Sequence, residues 1–187
     1  DVAPSRGLGD VYKRQELVTP ILNFLLTRDI HMDAFIGGKG YTPIQCVETA
    51  QKLTVPSSIK NYIITTRTRL DNILQFIHEN QLKVQKMTLN FYPAADGTLI
   101  DRETVRKFLV SNPSITTVCG GYNNLEFTRA DANKGVGLRK LAEILGVNPD
   151  ATMAIGDTEN DLAIIEAAGI GVAMGNATDC LLYTSDA

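Results

Sequence analysis

The feature that most constrains this chain is the stretch Ala154–Asp161, in which an apolar run stops at an acidic cluster and then becomes helical. The run Thr152–Ile155 shows no polar alternation, which predicts a strand covered on both faces, as in a parallel sheet between two helical layers. Gly156 ends this strand. The apolar positions that follow have helical spacing and stop at Gly169, a residue type that often ends helices. Asp157 is therefore expected at the carboxyl end of a buried strand.

Asp157, Asn160 and Asp161 together predict a metal site. In open α/β sheets, ligands bind in the crevice outside the carboxyl ends of the strands. Asn160 and Asp161 would lie in the first turn of the next helix and point into the same crevice. Carboxylate and amide oxygens suit Mg²⁺, a hard cation that keeps waters for exchange with phosphate oxygens. One alternative stays open from these residues alone: Asp157 simply caps the following helix, since aspartate is a favoured N-cap.

A lysine at a helix start is the second chemical signal. The sequence Asn133-Lys134-Gly135 opens a segment that is predicted to be helical from its apolar positions, which are Leu138, Leu141, Ala142 and Leu145. The helix dipole disfavours a cation at this end, so an anion near Lys134 would explain its place. The alternative is an ordinary solvated surface lysine.

The run from Asn124 to Asn176 resembles the C-terminal part of haloacid dehalogenase-like phosphatases, and within that superfamily it is most similar to the Cof-type hydrolases. The matching segments are Asn-Leu-Glu-Phe at 124–127, Lys-Gly at 134–135, Gly-Asp-Thr-Glu-Asn-Asp at 156–161 and Gly-Val-Ala-Met-Gly-Asn at 171–176. The lysine and the Gly-Asp-x-x-Asn-Asp segment match the family's third and fourth motifs at the expected separation. The resemblance implies an α/β fold, with a Rossmann-like core of which only the C-terminal part is present and an α+β cap domain of the Cof type.

The same resemblance implies a Mg²⁺-dependent phosphatase of small phosphorylated metabolites, such as sugar phosphates or phosphorylated cofactors. In the family, an aspartate nucleophile takes the phosphoryl group and a second aspartate two residues on acts as acid and base. By position, Lys134 would hold the phosphate and the nucleophile, and Asn160 would contact the substrate phosphate. Asp157 would ligate Mg²⁺, and Asp161 would support the metal site. Lys134 and Asp157 are therefore the predicted catalytic residues of this chain.

The chain departs from the family pattern because it holds no Asp-x-Asp at the end of an apolar strand. The stretch Asp29–Asp33 is no substitute, since its spacing is wrong and no apolar strand precedes it. The second family motif, a Ser or Thr after another strand, is not identifiable either. We therefore expect a C-terminal fragment of an enzyme.

The alternative function is a catalytically inactive fragment that at most binds phosphate or Mg²⁺. A P-type ion pump, which shares a similar Gly-Asp-x-x-Asn-Asp segment, is disfavoured because no transmembrane run accompanies it.

Composition argues against several classes of partner and location. The formal net charge of −3 and the pI of about 5.4 argue against nucleic acid and anionic membrane surfaces. The apolar runs are too short to span a bilayer and no signal segment opens the chain, so a cytoplasmic location is predicted. The cysteines (Cys46, Cys119 and Cys180) are interpreted as reduced thiols. His31 and His78 have no partner at metal-ligand spacing and are interpreted as bystanders.

The chain is predicted to hold two domains between two tails. Residues 1–15 show no period and residues 179–187 do not continue the α/β alternation, so both are predicted to be non-native or disordered tails, with ordinary disordered termini as the alternative. Residues 16–130 are predicted to form the cap, with helices on one face of a mainly antiparallel sheet. Residues 131–178 would be the C-terminal part of the core. The cap would cover the crevice and select the leaving group of the substrate.

Within the predicted cap, alternation of apolar and polar residues indicates half-buried strands at 30–36 and 86–91. Gly37–Gly40 is interpreted as a hairpin turn, because it lacks the spacing of a phosphate-binding loop and no helix follows it. Asp101 is expected to be the N-cap of a helix.

Overall fold

The computed structural model describes residues 5–119 and 123–186. The helices are α1 (Ser5–Leu26), α2 (Gln45–Thr49), α3 (Ser57–Thr66), α4 (Ile73–Glu79), α5 (Arg102–Val110), α6 (Lys134–Leu145), α7 (Leu162–Ala167) and α8 (Asp179–Leu182). The strands are β1 (His31–Ile36), β2 (Lys39–Pro43), β3 (Thr68–Leu70), β4 (Lys86–Asn90), β5 (Ile115–Val118), β6 (Asn124–Arg129), β7 (Met153–Gly156) and β8 (Ile170–Ala173). Short 3₁₀ helices cover Ala50–Lys52, Pro149–Ala151 and Glu159–Asp161.

The strands form two sheets of different kinds. The larger has the order β3-β2-β1-β4-β6-β5. Its central pairs, β1 with β2, β1 with β4 and β4 with β6, are antiparallel, whereas β2 and β3 are parallel. The smaller sheet is the parallel pair β7 and β8. A mainly antiparallel sheet before residue 130 and a parallel pair after it were both expected from the sequence.

Contacts divide the described residues into two compact units, residues 5–112 with 123–127 and residues 113–119 with 128–186. The boundary near residue 128 lies close to the predicted change from cap to core at 130. The assignment of the first unit as a cap and the second as part of a core stays a prediction.

In the first unit, α1, α4 and α5 lie on one face of the larger sheet. The ring of Tyr41 on β2 contacts the ring of Phe76 on α4, and Phe24 on α1 stacks on Phe108 on α5 with centroids 3.7 Å apart. Tyr41 is paired with Ala34, and side chains of paired residues point to the same face of a sheet. The face that contacts α4 is therefore the one that carries the apolar positions of β1. The fully buried side chains on these elements include Leu22, Leu25, Met32, Ile77, Leu89 and Leu109. The helices α2 and α3 lie against the opposite face, where Val47 and Ile63 line a small space together with His31 of β1. The prediction of helices on one face only is therefore wrong.

The glycine segment after β1 is the predicted hairpin turn. β1 and β2 are antiparallel, and the pair of residues next to the turn is Ile36 and Lys39. Gly37 and Gly38 have φ of 56° and 77°, which is the left-handed pair that a tight two-residue hairpin requires and that glycine adopts without strain.

In the second unit, the parallel pair is covered on one face. Ala154 on β7, Ile165 on α7 and Leu181 on α8 form its buried cluster. Met153 and Ile155, which alternate with Ala154 along β7, are 60% and 62% exposed. The expectation of a strand covered on both faces is therefore wrong for the described residues, because α7 packs on only one side of the two-stranded sheet.

Several local predictions differ from the structure. α1 starts at Ser5 and continues through Pro20, so residues 5–15 are helical rather than disordered. Residues 179–182 form α8, in which Leu181 is fully buried, and the backbone amide of Asp186 donates to the Gly171 carbonyl at 2.8 Å. Disorder is thus the wrong prediction for these parts of both ends. Asp101 does precede α5, but with a φ of 60° its side chain makes no capping hydrogen bond.

Candidate active site

The acidic segment after β7 is folded around the side chain of Asp161. Thr158 is the N-cap of the 3₁₀ helix Glu159–Asp161. Thr158 and Asp161 form a reciprocal capping box, in which the side chain of each accepts a hydrogen bond from the backbone amide of the other. One carboxylate oxygen of Asp161 accepts hydrogen bonds from the backbone amides of Asp157 at 3.2 Å and Thr158 at 3.4 Å. The Thr158 hydroxyl donates to the Asn160 amide oxygen at 2.7 Å. The loop therefore presents Asp157 and Asn160 from a backbone that Asp161 holds in place.

Lys134 reaches this loop from the start of α6. Asn133 caps α6 by accepting a hydrogen bond from the Val136 amide at 2.9 Å, so Lys134 is the first helical residue. Its ammonium forms a short ion pair with Asp161 and donates to the Asn160 side-chain oxygen at 3.3 Å. An anion beside Lys134 was expected from its place against the helix dipole, and the structure identifies Asp161 as one. Half of the Lys134 side chain is exposed to solvent, so it is a surface lysine that is ion-paired.

Two glycines allow these approaches. A Cβ on Gly135 would lie 2.1 Å from the carbonyl oxygen of Ala163, so only glycine lets α6 come this close to α7. A Cβ on Gly156 would lie 2.4 Å from the Cβ of Asp161. Both glycines therefore serve the contact between Lys134 and Asp161.

The pKa of Asp161 is set by opposing effects. Burial raises the pKa of this carboxyl, since only 8% of the residue is exposed. The hydrogen bond from Lys134, the backbone amides of Asp157 and Thr158 and the positive charge of Lys134 outweigh that effect and hold its pKa below the usual value. Asp161 is therefore a carboxylate at neutral pH, and most of its hydrogen-bonding capacity is used within the protein.

Asp157 differs from Asp161 in having its carboxylate available. Asp157 is half-buried directly after β7, and its carbonyl accepts a hydrogen bond from the Thr178 amide at 3.1 Å. Among residues 5–119 and 123–186, no hydrogen bond or ion pair involves its side-chain oxygens. Capping of the following turn is performed by Thr158, so the helix-cap alternative for Asp157 is wrong.

The donor set fits a hard divalent cation in part. Asp157 supplies a free carboxylate. The same loop also offers the Thr158 hydroxyl oxygen and the Asn160 amide oxygen, which are joined by a hydrogen bond. Within the described residues there is no group of three or more His, Cys, Asp or Glu side chains arranged for a metal. A Mg²⁺ ion held here would therefore depend on Asp157 and on ligands from elsewhere, such as water or phosphate oxygens.

Sequence reasoning assigned no role in the site to Thr158 or Gly135, and it interpreted Gly156 only as the end of the strand. The Thr158-x-x-Asp161 spacing is a capping-box pattern and would have indicated the turn. No local signal marks Gly135. Glycine is required at this position because α7, nearly thirty residues further along the chain, packs too close for a Cβ.

Comparison with known proteins agrees with this geometry. Residues 11–186 match the sequence profile of the haloacid dehalogenase-like hydrolases. The chain is 26% identical to the Bacillus subtilis 5-amino-6-(5-phospho-D-ribitylamino)uracil phosphatase YitU, over 95% of this chain and 73% of that protein. It is 39% identical to the B. subtilis phosphatase YcsE, named for the same substrate, over 46% of this chain and 34% of that one.

Solved structures show the same fold. A haloacid dehalogenase-like hydrolase from B. subtilis superposes with a TM-score of 0.71 at 23% identity, covering 92% of this chain and 64% of the other. The subclass IIB sugar phosphatase BT4131 gives a TM-score of 0.66 at 19% identity, covering 92% of this chain and 59% of the other. The chain thus spans about three-fifths of the length of these structures.

No helix in the described ranges combines the length and apolar character needed to cross a membrane. The profile match over nearly the whole chain, the shared α/β fold and the lysine–aspartate pair at the end of a parallel strand lead to one conclusion: this chain belongs to the haloacid dehalogenase-like hydrolase family.

Proposed function

We propose that the protein to which this chain belongs is a Mg²⁺-dependent phosphatase of small phosphorylated metabolites. The observation that carries the proposal is the contact of Lys134 with Asp161 and Asn160 beside the free carboxylate of Asp157. A cation, an amide and an unpaired carboxylate at the carboxyl end of a parallel strand suit a phosphate group and a divalent metal.

The residues of this chain would bind and orient rather than react. Lys134 would hold a phosphate oxygen and the attacking carboxylate, and Asn160 would contact the same phosphate. Asp157 would hold Mg²⁺, which neutralises charge on the phosphoryl group when bound. Asp161 would orient Lys134 and support the metal site through the loop. The aspartate nucleophile that the family uses would have to come from outside this chain, since no Asp-x-Asp follows an apolar strand here.

The substrate class that we propose is a phosphomonoester of a sugar or polyol. YitU and YcsE are named for a phosphorylated ribitylamino compound and BT4131 for a sugar phosphate. The net charge of −3 and the half-buried loop favour a small metabolite over a polyanionic macromolecule.

The test is phosphate release from a panel of metabolite monoesters by the full-length protein. We expect Lys134→Ala and Asp157→Asn each to lower kcat/KM by roughly a hundredfold or more, because each removes a group that stabilises the transferring phosphoryl. Lys140→Ala and Asp150→Asn are matched controls, since Lys140 pairs with Glu143 on the outer side of α6 and Asp150 lies in a separate exposed turn. Equal effects of the site and control variants would contradict the proposal.

The alternative, a chain that binds phosphate or Mg²⁺ without turnover, applies if the full-length protein releases no phosphate from any ester. Inorganic phosphate binding that disappears in Lys134→Ala would then identify the site as a binding site only.

A further inference from the structure

The hydroxyl of Thr158 is directed at the side chain of Asn160. Its oxygen lies 2.7 Å from the Asn160 side-chain oxygen and 3.4 Å from one carboxylate oxygen of Asp161. In the capping box, the same hydroxyl oxygen accepts a hydrogen bond from the Asp161 backbone amide. A hydroxyl has one proton to donate, and the much shorter contact assigns that proton to Asn160.

The ammonium of Lys134 is a second donor to the same oxygen. Its Nζ lies 3.3 Å from the Asn160 side-chain oxygen while it is ion-paired with Asp161. An ammonium only donates hydrogen bonds, so the end of the carboxamide that faces it is the oxygen. The opposite orientation would turn the NH₂ group of Asn160 towards a positive charge. Lys134 and Thr158 therefore select the same orientation of this side chain.

This orientation leaves the NH₂ group of Asn160 available. The carboxamide oxygen has two lone pairs, and the contacts with Thr158 and Lys134 use both of them. In the part of the chain that the structure describes, no protein group accepts a hydrogen bond from the Asn160 NH₂ group. Asn160 thus offers a ligand two N–H donors and no unused acceptor.

The two kinds of ligand expected at this loop need opposite ends of a carboxamide. An amide binds Mg²⁺ through its oxygen, and a metal ion would have to displace both Thr158 and Lys134 to reach the oxygen of Asn160. The N–H groups instead suit the oxygens of a phosphate. The loop therefore separates the two tasks, because the carboxylate of Asp157 is free for the metal and the NH₂ group of Asn160 for the phosphate.

Thr158 also has a structural role as the N-cap of the turn. That role uses a lone pair of the hydroxyl oxygen, which accepts the Asp161 backbone amide, whereas the orientation of Asn160 uses the hydroxyl proton. A residue that only caps the turn would affect Asp157, Asn160 and Asp161 together. A residue that acts through Asn160 would affect the phosphate and spare the metal.

We propose that Thr158 is a positioning residue, whose hydroxyl holds the Asn160 carboxamide with its oxygen turned towards Lys134, so that Asn160 donates to a substrate phosphate and does not ligate the metal. The role of Asn160 towards phosphate rests on the proposed phosphatase function. The orientation of its carboxamide does not, and can be measured without any turnover.

The direct test is NMR of the Asn160 carboxamide carbon in the 187-residue chain. In Thr158→Val, which has nearly the same shape but no hydroxyl, this signal should move to lower chemical shift, because the carboxamide oxygen loses a hydrogen bond. Thr158→Ser keeps the hydroxyl and should keep the signal near its wild-type position. Thr152→Val is the matched control, since it removes a hydroxyl that donates to the Pro149 carbonyl near the other end of β7. An Asn160 signal that Thr158→Val leaves unchanged overturns the proposal.

A measurement on the wild type does not depend on the folding of any variant. Inorganic phosphate added to the full-length protein should shift the NH₂ signals of Asn160, because these protons would bond the added oxygens. Phosphate that binds without shifting them, or that does not bind, contradicts the role of Asn160 as a donor.

A double-mutant cycle in the full-length protein tests the consequence for catalysis. Asn160→Ala should lower kcat/KM by roughly a hundredfold, as expected when one donor to a reacting oxyanion is lost. Thr158→Val should lower it by roughly tenfold, the size of one hydrogen bond. The double variant should be no slower than Asn160→Ala, because Thr158 acts through Asn160. The half-saturating Mg²⁺ concentration should stay at its wild-type value, since Asp157 is unchanged.

Two different failures can be told apart. Effects that multiply in the double variant, or a Mg²⁺ requirement that rises in Thr158→Val, would mean that Thr158 acts through the fold of the loop and would overturn the positioning role. A wild-type protein that releases no phosphate contradicts the proposed function instead, and the carboxamide carbon signal then still decides how Asn160 is oriented.

Discussion

Lys134, the first residue of α6, is ion-paired with Asp161, 27 residues later in the loop that follows β7. The pair joins a helix start to the loop at a strand's carboxyl end, and it holds the ammonium against the loop that carries Asp157. A cation at the positive end of a helix is unfavourable by itself, so the contact with Asp161 compensates for its position.

Removal of Lys134 should change the titration of Asp161. In Lys134→Ala we expect the pKa of Asp161 to rise, because burial remains while the ammonium is lost. In the wild type, a lowered folded-state pKa contributes stability that is present above the unfolded pKa and is lost as the pH falls through the folded one. The variant should lose less stability on acidification. Carboxyl carbon NMR and acid titrations of unfolding measure both effects, and an unchanged Asp161 titration would show that Lys134 does not control it.

Alanine at two glycines of α6 should have opposite effects. Gly135→Ala places a Cβ against the Ala163 carbonyl and should destabilise the second unit by about 1–3 kcal/mol. Gly137→Ala, on the same helix with nothing within 4 Å of the new Cβ, should stabilise it by about 0.5–1 kcal/mol. Urea unfolding followed by a probe in the second unit would compare them. A neutral Gly135→Ala would mean that α6 and α7 lie further apart than described.

The 187-residue chain by itself should show no measurable phosphatase activity. Lys134 and Asp157 can position a phosphate and a metal, but neither corresponds to the aspartate nucleophile that accepts the phosphoryl group in this family. A sensitive phosphate-release assay on the purified chain is the measurement. Turnover that Asp157→Ala abolishes would contradict this prediction and require a nucleophile within these residues.

Hydrogen exchange should be faster in the second unit than in the first. Met153 and Ile155 leave one face of β7 open, and each Å² of apolar surface left in water forgoes about 25 cal/mol. The first unit has a fully buried core that includes Leu22, Met32 and Leu89. Amides near Ile155 and Ile165 should therefore be less protected than those near Leu89. Equal protection would mean that the second unit is stably folded in the isolated chain.

The sequence by itself determined the local elements and the chemistry-bearing segment. The apolar run 152–155 became β7, the spacing after Asn133 became α6, and Gly37-Gly38 became a hairpin turn, because each depends on contacts within a few residues. These inferences needed only periodicity, caps and turn chemistry. The placing of Lys134 near the acidic loop was implied by the family resemblance.

Tertiary structure decided which groups became partners and which faces were covered. The sequence did not show that the carboxylate of Asp161 binds Lys134 and two backbone amides. Ile155 was expected inside and lies open, and His31 was interpreted as a bystander and lies buried between Cys46 and Asp33. A periodic pattern tells which residues share a face, but not what packs on that face. Burial and charge pairing depend on segments distant along the chain, and only the folded backbone brings those segments together.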